Sequence, residues 1–328
     1  MGELFVLTEG IIRDLVGFGE AELKAVEAVY PLISDGTAVM PDIMRIDVEA
    51  HNGEIDVKSA FLPGYPGIAI KVSAGFFNNP KRGLPSLGGF MVVLDAETGI
   101  PTAALFDNGY LTDLRTGLAG AVAARHLARP DSSRLAVLGA GVQARFQVQA
   151  LRLVLAIETV TVWARRRERA EALARDLSDQ LGIEVRATDS VEAAAAGADV
   201  VVTTTPATDG FLKQNHLRPG QHLTTVGSDA EHKRELGEGI FDLVDVVVVD
   251  SLRQSMRLGE ARSAVAEGYD PEGLIELGTV VAGKHPGRTS PEQITLCDLT
   301  GTGAQDTAIA GLTVQRAREQ SRGDVVIT

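Results

Sequence analysis

The chain has 328 residues, 45% of them apolar, enough for two domains with cores of their own, and a formal net charge of −13. That acidity leaves no basic field for DNA, RNA or anionic lipid, and no apolar run approaches the ~18 residues of a membrane span. The run Leu4 to Ile12 is broken by Thr8 and Glu9 and lacks a basic region and a cleavage site, so no secretory signal is expected. Cys297, the single cysteine, is expected to be a buried, inert thiol, which fits a cytoplasmic protein.

Residues 20–34 carry apolar positions at Leu23, Val26, Val29, Tyr30 and Ile33, a helical period closed by Asp35-Gly36. From Ile43 to Ala104 short extended segments follow, at 44–48, 55–61, 68–73 and 89–94, separated by Gly, Pro and Asn turns, which predicts a mainly antiparallel sheet. A helix is expected over 112–126. Behind it, apolar strands at 135–138, 159–163, 184–187, 199–203, 222–226 and 245–249 alternate with helices at 142–155, 167–181 and 190–196, the pattern of a doubly wound parallel sheet. A helix near 257–267, a loop at 283–291, a strand at 294–299 and a last helix at 304–319 complete the reading, and residues 321–328 have little to anchor them.

The apolar strand at 135–138 runs into Gly139, Gly141 and Ala144, the G-x-G-x-x-A spacing of a dinucleotide-binding turn. The first glycine permits the turn, the second lets a pyrophosphate approach, and the small third residue lets helix pack on strand. Val142 and Gln143 then sit where free helix N–H groups favour a phosphate. In NAD-binding sheets a carboxylate ends the second strand. Here that strand ends in Ala164, Arg165, Arg166 and Arg167, with no acid before Glu168. Arginines suit a 2′-phosphate, so NADP(H) is favoured and NAD(H) stays open; alternatively the arginines only solvate a helix start. The six histidines are scattered without ligand spacing, so no metal is expected, and no nucleophile-elbow pattern supports hydrolysis.

Seven stretches together resemble the ornithine cyclodeaminase/mu-crystallin family: I-K-V-S (70–73), N-P-K-R-G-L-P (79–85), T-D-L-R-T-G-L-A-G (112–120), L-G-A-G-V-Q-A (138–144), V-V-T-T-T-P (201–206), G-S-D-A-E-H-K-R-E-L (227–236) and D-L-T-G-T-G-A-Q-D (298–306). Within it, D-V-K-S-A-F, G-S-D-A-E-H-K and C-D-L-T-G-T-G-A-Q-D are most similar to the ectoine-utilisation branch. The resemblance implies an α/β architecture: a β-rich substrate and dimerisation domain (1–118 plus 304–328) beside a Rossmann domain (119–303), with the site in the cleft between them and a homodimer in solution. It implies NAD(P)-dependent chemistry on a small amino acid or its imine.

Such chemistry needs a carboxylate clamp, a proton donor or acceptor near the nitrogen, and exclusion of water. The resemblance places the family's lysine at Lys71 and its carboxylate-binding arginine at Arg115, whereas a snorkelling edge lysine and a surface arginine are the plain structural alternatives. It places the proton-exchanging aspartate at Asp229, after the strand at 222–226 in Gly227-Ser228-Asp229; a helix N-cap is the alternative. Lys233 either neutralises Asp229, positions substrate or is a solvated helix lysine. Lys58 stands near where several members carry an arginine, and either replaces it, meets a second acidic group on the substrate, or joins an exposed ion pair. Thr116, Thr204 and Thr205 are expected beside the cofactor with Gly227 and Ser228. Three functions compete: an NADPH-dependent imine reductase or amino-acid dehydrogenase, favoured; a redox-neutral cyclodeaminase that releases ammonia from ornithine; and a crystallin-like binding protein without turnover.

Overall fold

The computed structural model describes residues 3–327. The chain divides into two compact units, one made of the residues up to Arg115 together with those from Thr302 onward, the other of Thr116–Gly301.

The first unit is built on a seven-stranded sheet in the order Asp324–Ile327, Glu3–Thr8, Pro101–Phe106, Leu87–Asp95, Gly67–Phe76, Gly53–Ala60, Met44–Val48. Only Glu3–Thr8 and Pro101–Phe106 run parallel; the other pairs are antiparallel. One face is covered by the helix Gly303–Glu319, which packs on Gly67–Phe76 and Gly53–Ala60. Thr307 ties it there: its hydroxyl donates to the Ala60 carbonyl at 2.9 Å and accepts the Ala69 N–H at 3.2 Å. The short helices Glu9–Leu15, Glu20–Glu27 and Val29–Ser34 pack on the same helix and bury Ile12, Leu23, Val26 and Tyr30.

Two expectations are corrected here. The helical stretch 20–34 is broken at Ala28, because Pro31 has no N–H to give the Glu27 carbonyl. The C-terminal segment is anchored: Asp324–Ile327 pairs antiparallel with Glu3–Val6. Its β-branched residues suit a strand, but their partner lies some three hundred residues away in sequence, so no local signal reveals it.

The second unit is an eight-stranded sheet, every pair parallel, in the order Glu184–Ala187, Thr159–Trp163, Arg134–Leu138, Val200–Thr203, His222–Thr225, Thr295–Asp298, Val246–Val249, Leu274–Glu276. This is the doubly wound Rossmann arrangement expected from the alternation of apolar strands and helices. The strand order reverses between Arg134–Leu138 and Val200–Thr203, and at such a switch point ligands meet the carboxyl ends of the strands. The helices Val142–Leu151, Arg167–Leu181 and Val191–Ala195 lie within the expected stretches. Leu274–Glu276, three residues long, gave no periodic signal. Four central strands are buried at every residue, which suits a sheet covered on both faces. Buried among them, Cys297 has its thiol pushed well above the usual range by burial, and His222 is pushed down to about 3 for the same reason. Both stay uncharged at neutral pH.

Candidate functional site

The first unit gathers a charged cluster where the helix Gly303–Glu319 meets the sheet. Lys71 lies in the strand Gly67–Phe76, facing that helix, and is only 2% exposed. Its Nζ is 2.8 Å from Asp306 Oδ2, while Arg115 Nε donates to Asp306 Oδ1 at 3.0 Å. Arg115 also donates to Gln305 Oε1 at 3.0 Å, and the Gln305 amide donates to the buried hydroxyl of Tyr30. Both Gln305 and Asp306 lie in the first turn and a half of their helix, where the macrodipole favours a negative charge.

Two cations on one fully buried carboxylate make this cluster electropositive. Burial lowers the Lys71 ammonium to about 7, with Arg115 and Lys58 acting in the same direction and Asp306 opposing them. Burial alone would raise Asp306, but the charges of Lys71 and Arg115 outweigh it and hold the carboxyl below its usual range. Asp107, at the start of the helix Tyr110–Leu127, accepts the Leu111 N–H at 2.8 Å and is raised by burial to about 6.

Lys58 is half-buried and directly opposite Lys71 in the register, so both project to one face. Arg45 shares that face, opposite Asp56, within 3.7 Å of it and 2.9 Å from Asp47, and it also contacts Glu54. The neighbouring strand thus places an arginine, Arg45, on the same face as Lys58. Asp306, Gln305, Tyr30 and Arg45 were not singled out from sequence. Asp306 was the last residue of a quoted motif, yet only the fold shows that it faces Lys71.

In the second unit, Gly139 has φ +138°, and a Cβ there would lie 2.2 Å from the Thr204 hydroxyl, so only glycine fits the turn. Gly141 caps the helix Val142–Leu151, and a Cβ there would meet nothing within 4 Å. Such open space at a helix start, with N–H groups that have no intrahelical acceptor, fits a pyrophosphate. Ala144 is fully buried, Gln143 half-buried and Val142 exposed. Gly141→Val is expected to weaken dinucleotide binding by roughly 10- to 100-fold while leaving the melting temperature unchanged, as read by fluorescence titration and thermal unfolding.

The side chains of Arg165 and Arg166 are exposed and make no ion pair or hydrogen bond among the described residues. Arg167 is held by Glu171 at 2.8 Å and by Asp189. Helix solvation thus describes Arg167, whereas the other two are available to a ligand. The Thr204 N–H donates to the Leu138 carbonyl, closing the two strands at the switch point. The Thr116 carbonyl accepts from Gln147, and the Thr205 hydroxyl and Gly227 N–H are both taken up by Glu235. The Ser228 hydroxyl donates to the Lys233 carbonyl at 2.7 Å.

Asp229 follows the strand His222–Thr225 in a loop, not at a helix start as the N-cap alternative required, and its side chain is 55% exposed. Lys233, expected as a solvated helix lysine in one reading, also lies outside any helix; it is largely buried and 2.5 Å from Asp229. Among the described residues no group of three or more His, Cys, Asp or Glu side chains is arranged to hold a metal ion, and no helix is long and apolar enough to cross a membrane.

Residues 12–321 match the model of the ornithine cyclodeaminase/mu-crystallin family. A protein of Rhizobium meliloti provisionally named a dehydrogenase is 48% identical over 326 residues, 98% of each chain. The solved structure of Thermococcus litoralis Δ1-pyrroline-2-carboxylate reductase with NADH and L-proline is similar at 31% identity and a TM-score of 0.92, over 98% of this chain and 100% of that one. An archaeal alanine dehydrogenase dimer with bound NAD is similar at 34% identity and a TM-score of 0.91, over 99% of each chain. With its motifs, both sheets and the match along almost its whole length in agreement, this chain belongs to the ornithine cyclodeaminase/mu-crystallin family.

Proposed function

We propose that the protein is an NAD(P)-dependent oxidoreductase that interconverts the imine and the amine at the α-carbon of a small amino acid. The observation that carries this reading is the buried Lys71–Asp306–Arg115 set. Its two cations share one carboxylate, so the set has capacity for one more, and the α-carboxylate of an amino acid or imino acid supplies it. A nicotinamide dinucleotide, when bound, accepts or supplies the hydride. Lys71 in its protonated form and Arg115 orient the substrate, and Asp229 exchanges the proton on its nitrogen. A protein that only bound its ligand would need no acid near the substrate nitrogen, the place this reading gives to Asp229.

The polar stripe on the sheet face runs from Lys71 and Lys58 to Asp56, Glu54 and Arg45, which suits a substrate with a polar side chain. The resemblance to the ectoine-utilisation branch puts diamino and acidic imines first among substrates to test. Exposed Arg165 and Arg166 favour NADP(H), although the neighbours named above carry NADH and NAD. Replacing both by alanine is expected to raise the KM for NADPH roughly tenfold and leave that for NADH unchanged.

The opposite sheet face carries Ile46 beside Ile55, and Val57, Val72 and Phe90 in one register row, with Ile46 and Phe90 exposed. An apolar face of this kind suits a homodimer. Light scattering would show a dimer mass that Val72→Glu reduces to that of a monomer.

The deciding experiment follows absorbance at 340 nm with NADPH or NADH against 2-oxo acids plus ammonia or methylamine, cyclic ketimines and iminosuccinate, with ornithine in parallel. Cofactor consumption that falls roughly 10²-fold or more in Asp229→Ala is the expected result. Ammonia release from ornithine with no net change at 340 nm would replace the reductase by the cyclodeaminase.

A further inference from the structure

Glu235 is fully buried, and nothing in the chemistry above uses it. One of its oxygens accepts the Thr203 hydroxyl at 2.6 Å and the Gly227 N–H at 2.8 Å; the other accepts the Thr205 N–H at 2.5 Å and the Thr205 hydroxyl at 2.8 Å. Thr203 ends the strand Val200–Thr203, and Gly227 lies two residues past the end of His222–Thr225, two residues before Asp229. One carboxylate thus joins the loops that leave two adjacent strands at their carboxyl ends. Glu235 is held in turn by Glu260, also buried, which accepts the Glu235 N–H at 2.6 Å and the Leu236 N–H at 3.0 Å.

We propose that Glu235 is a positioning residue: its carboxylate clamps the loop Gly227–Asp229 to the Thr203–Thr205 loop and so fixes where Asp229 exchanges its proton. The two fixed donors, the Thr205 and Gly227 N–H groups, meet different oxygens of Glu235, so a glutamine amide turns an N–H group toward one of them and loses that contact. For stability alone an uncharged group would serve better, since burial raises Glu235 to about 7. A carboxyl group kept there despite that penalty, with both oxygens occupied by the two loops, points to a geometric requirement in the loops it joins.

This inference rests on Asp229 carrying the proton exchange, and a double-variant cycle separates the two ideas. Glu235→Gln is expected to lower kcat roughly 10- to 100-fold at saturating dinucleotide, where any weakening of cofactor binding through the loosened Thr205 and Gly227 loops does not enter the comparison. In an Asp229→Ala background the same change is expected to cost less than about threefold, because Glu235 then has no acid left to place. Multiplicative losses in the double variant, or unchanged kcat in folded Glu235→Gln, would overturn the clamp. Full turnover in Asp229→Ala alone would instead overturn the functional reading. Should Glu235→Gln fail to fold by circular dichroism, Thr203→Val removes a single donor. A threefold to tenfold loss of kcat that disappears in the Asp229→Ala background supports the proposal, and full kcat in folded Thr203→Val rejects it.

Discussion

Lys71→Met is expected to lower kcat/KM for the reductive reaction roughly 10³-fold, because it removes a buried charge that is paired with Asp306 and that the proposed function assigns to the substrate carboxylate. Methionine keeps most of the side-chain volume, so the loss reads the ammonium and not a cavity. The pH profile provides the sharper test. The ammonium is lowered to about 7, and kcat/KM reports ionisations of the free enzyme. If the protonated form binds the carboxylate, kcat/KM is level below pH 7 and falls about tenfold per unit above it. In Lys71→Met that alkaline limb disappears. A wild-type profile that is flat from pH 6 to 9 would show that Lys71 keeps its proton throughout, or is not needed in that form.

Why the sequence disclosed some of this and not the rest follows from the range over which each signal acts. Gly139, Gly141 and Ala144 act through neighbours a few residues away, so their spacing alone marks the turn, and the helix Val142–Leu151 starts where that spacing puts it. The parallel sheet was legible because strands such as Val200–Thr203 and Val246–Val249 are buried on both faces and read as valine runs. Lys71 and Arg115 were marked by resemblance to a family, but what they touch was not. Asp306 lies 191 residues beyond Arg115 and meets it only because the last helix returns to the first unit's sheet. Arg45 was missed for a related reason: its place beside Asp56 follows from strand register, which a list of local segments does not contain. The clamp at Glu235 was hidden differently. It sits in a quoted motif between Arg234 and Leu236, and only its burial distinguishes it from the exposed acids around it.

Asp306→Asn is expected to lower kcat/KM at pH 8 by at least about tenfold, by a route that separates its role from that of the lysine. The substitution is close to isosteric, and the asparagine oxygen still accepts from Arg115 Nε, so the helix Gly303–Glu319 keeps its anchor to Arg115. What goes is the negative charge. Asp306 is the neighbour that raises the Lys71 ammonium, whereas burial, Arg115 and Lys58 all lower it. Without the carboxylate those three act unopposed, and Lys71 gives up its proton well below pH 7. The alkaline limb of kcat/KM is therefore expected to move to lower pH by at least about one unit, and activity at pH 6 to recover part of what is lost at pH 8. In Lys71→Met the limb vanishes; in Asp306→Asn it shifts. A limb that stays near pH 7 in Asp306→Asn would assign it to another group, with Asp107, raised to about 6 at the start of the helix that carries Arg115, the next to replace.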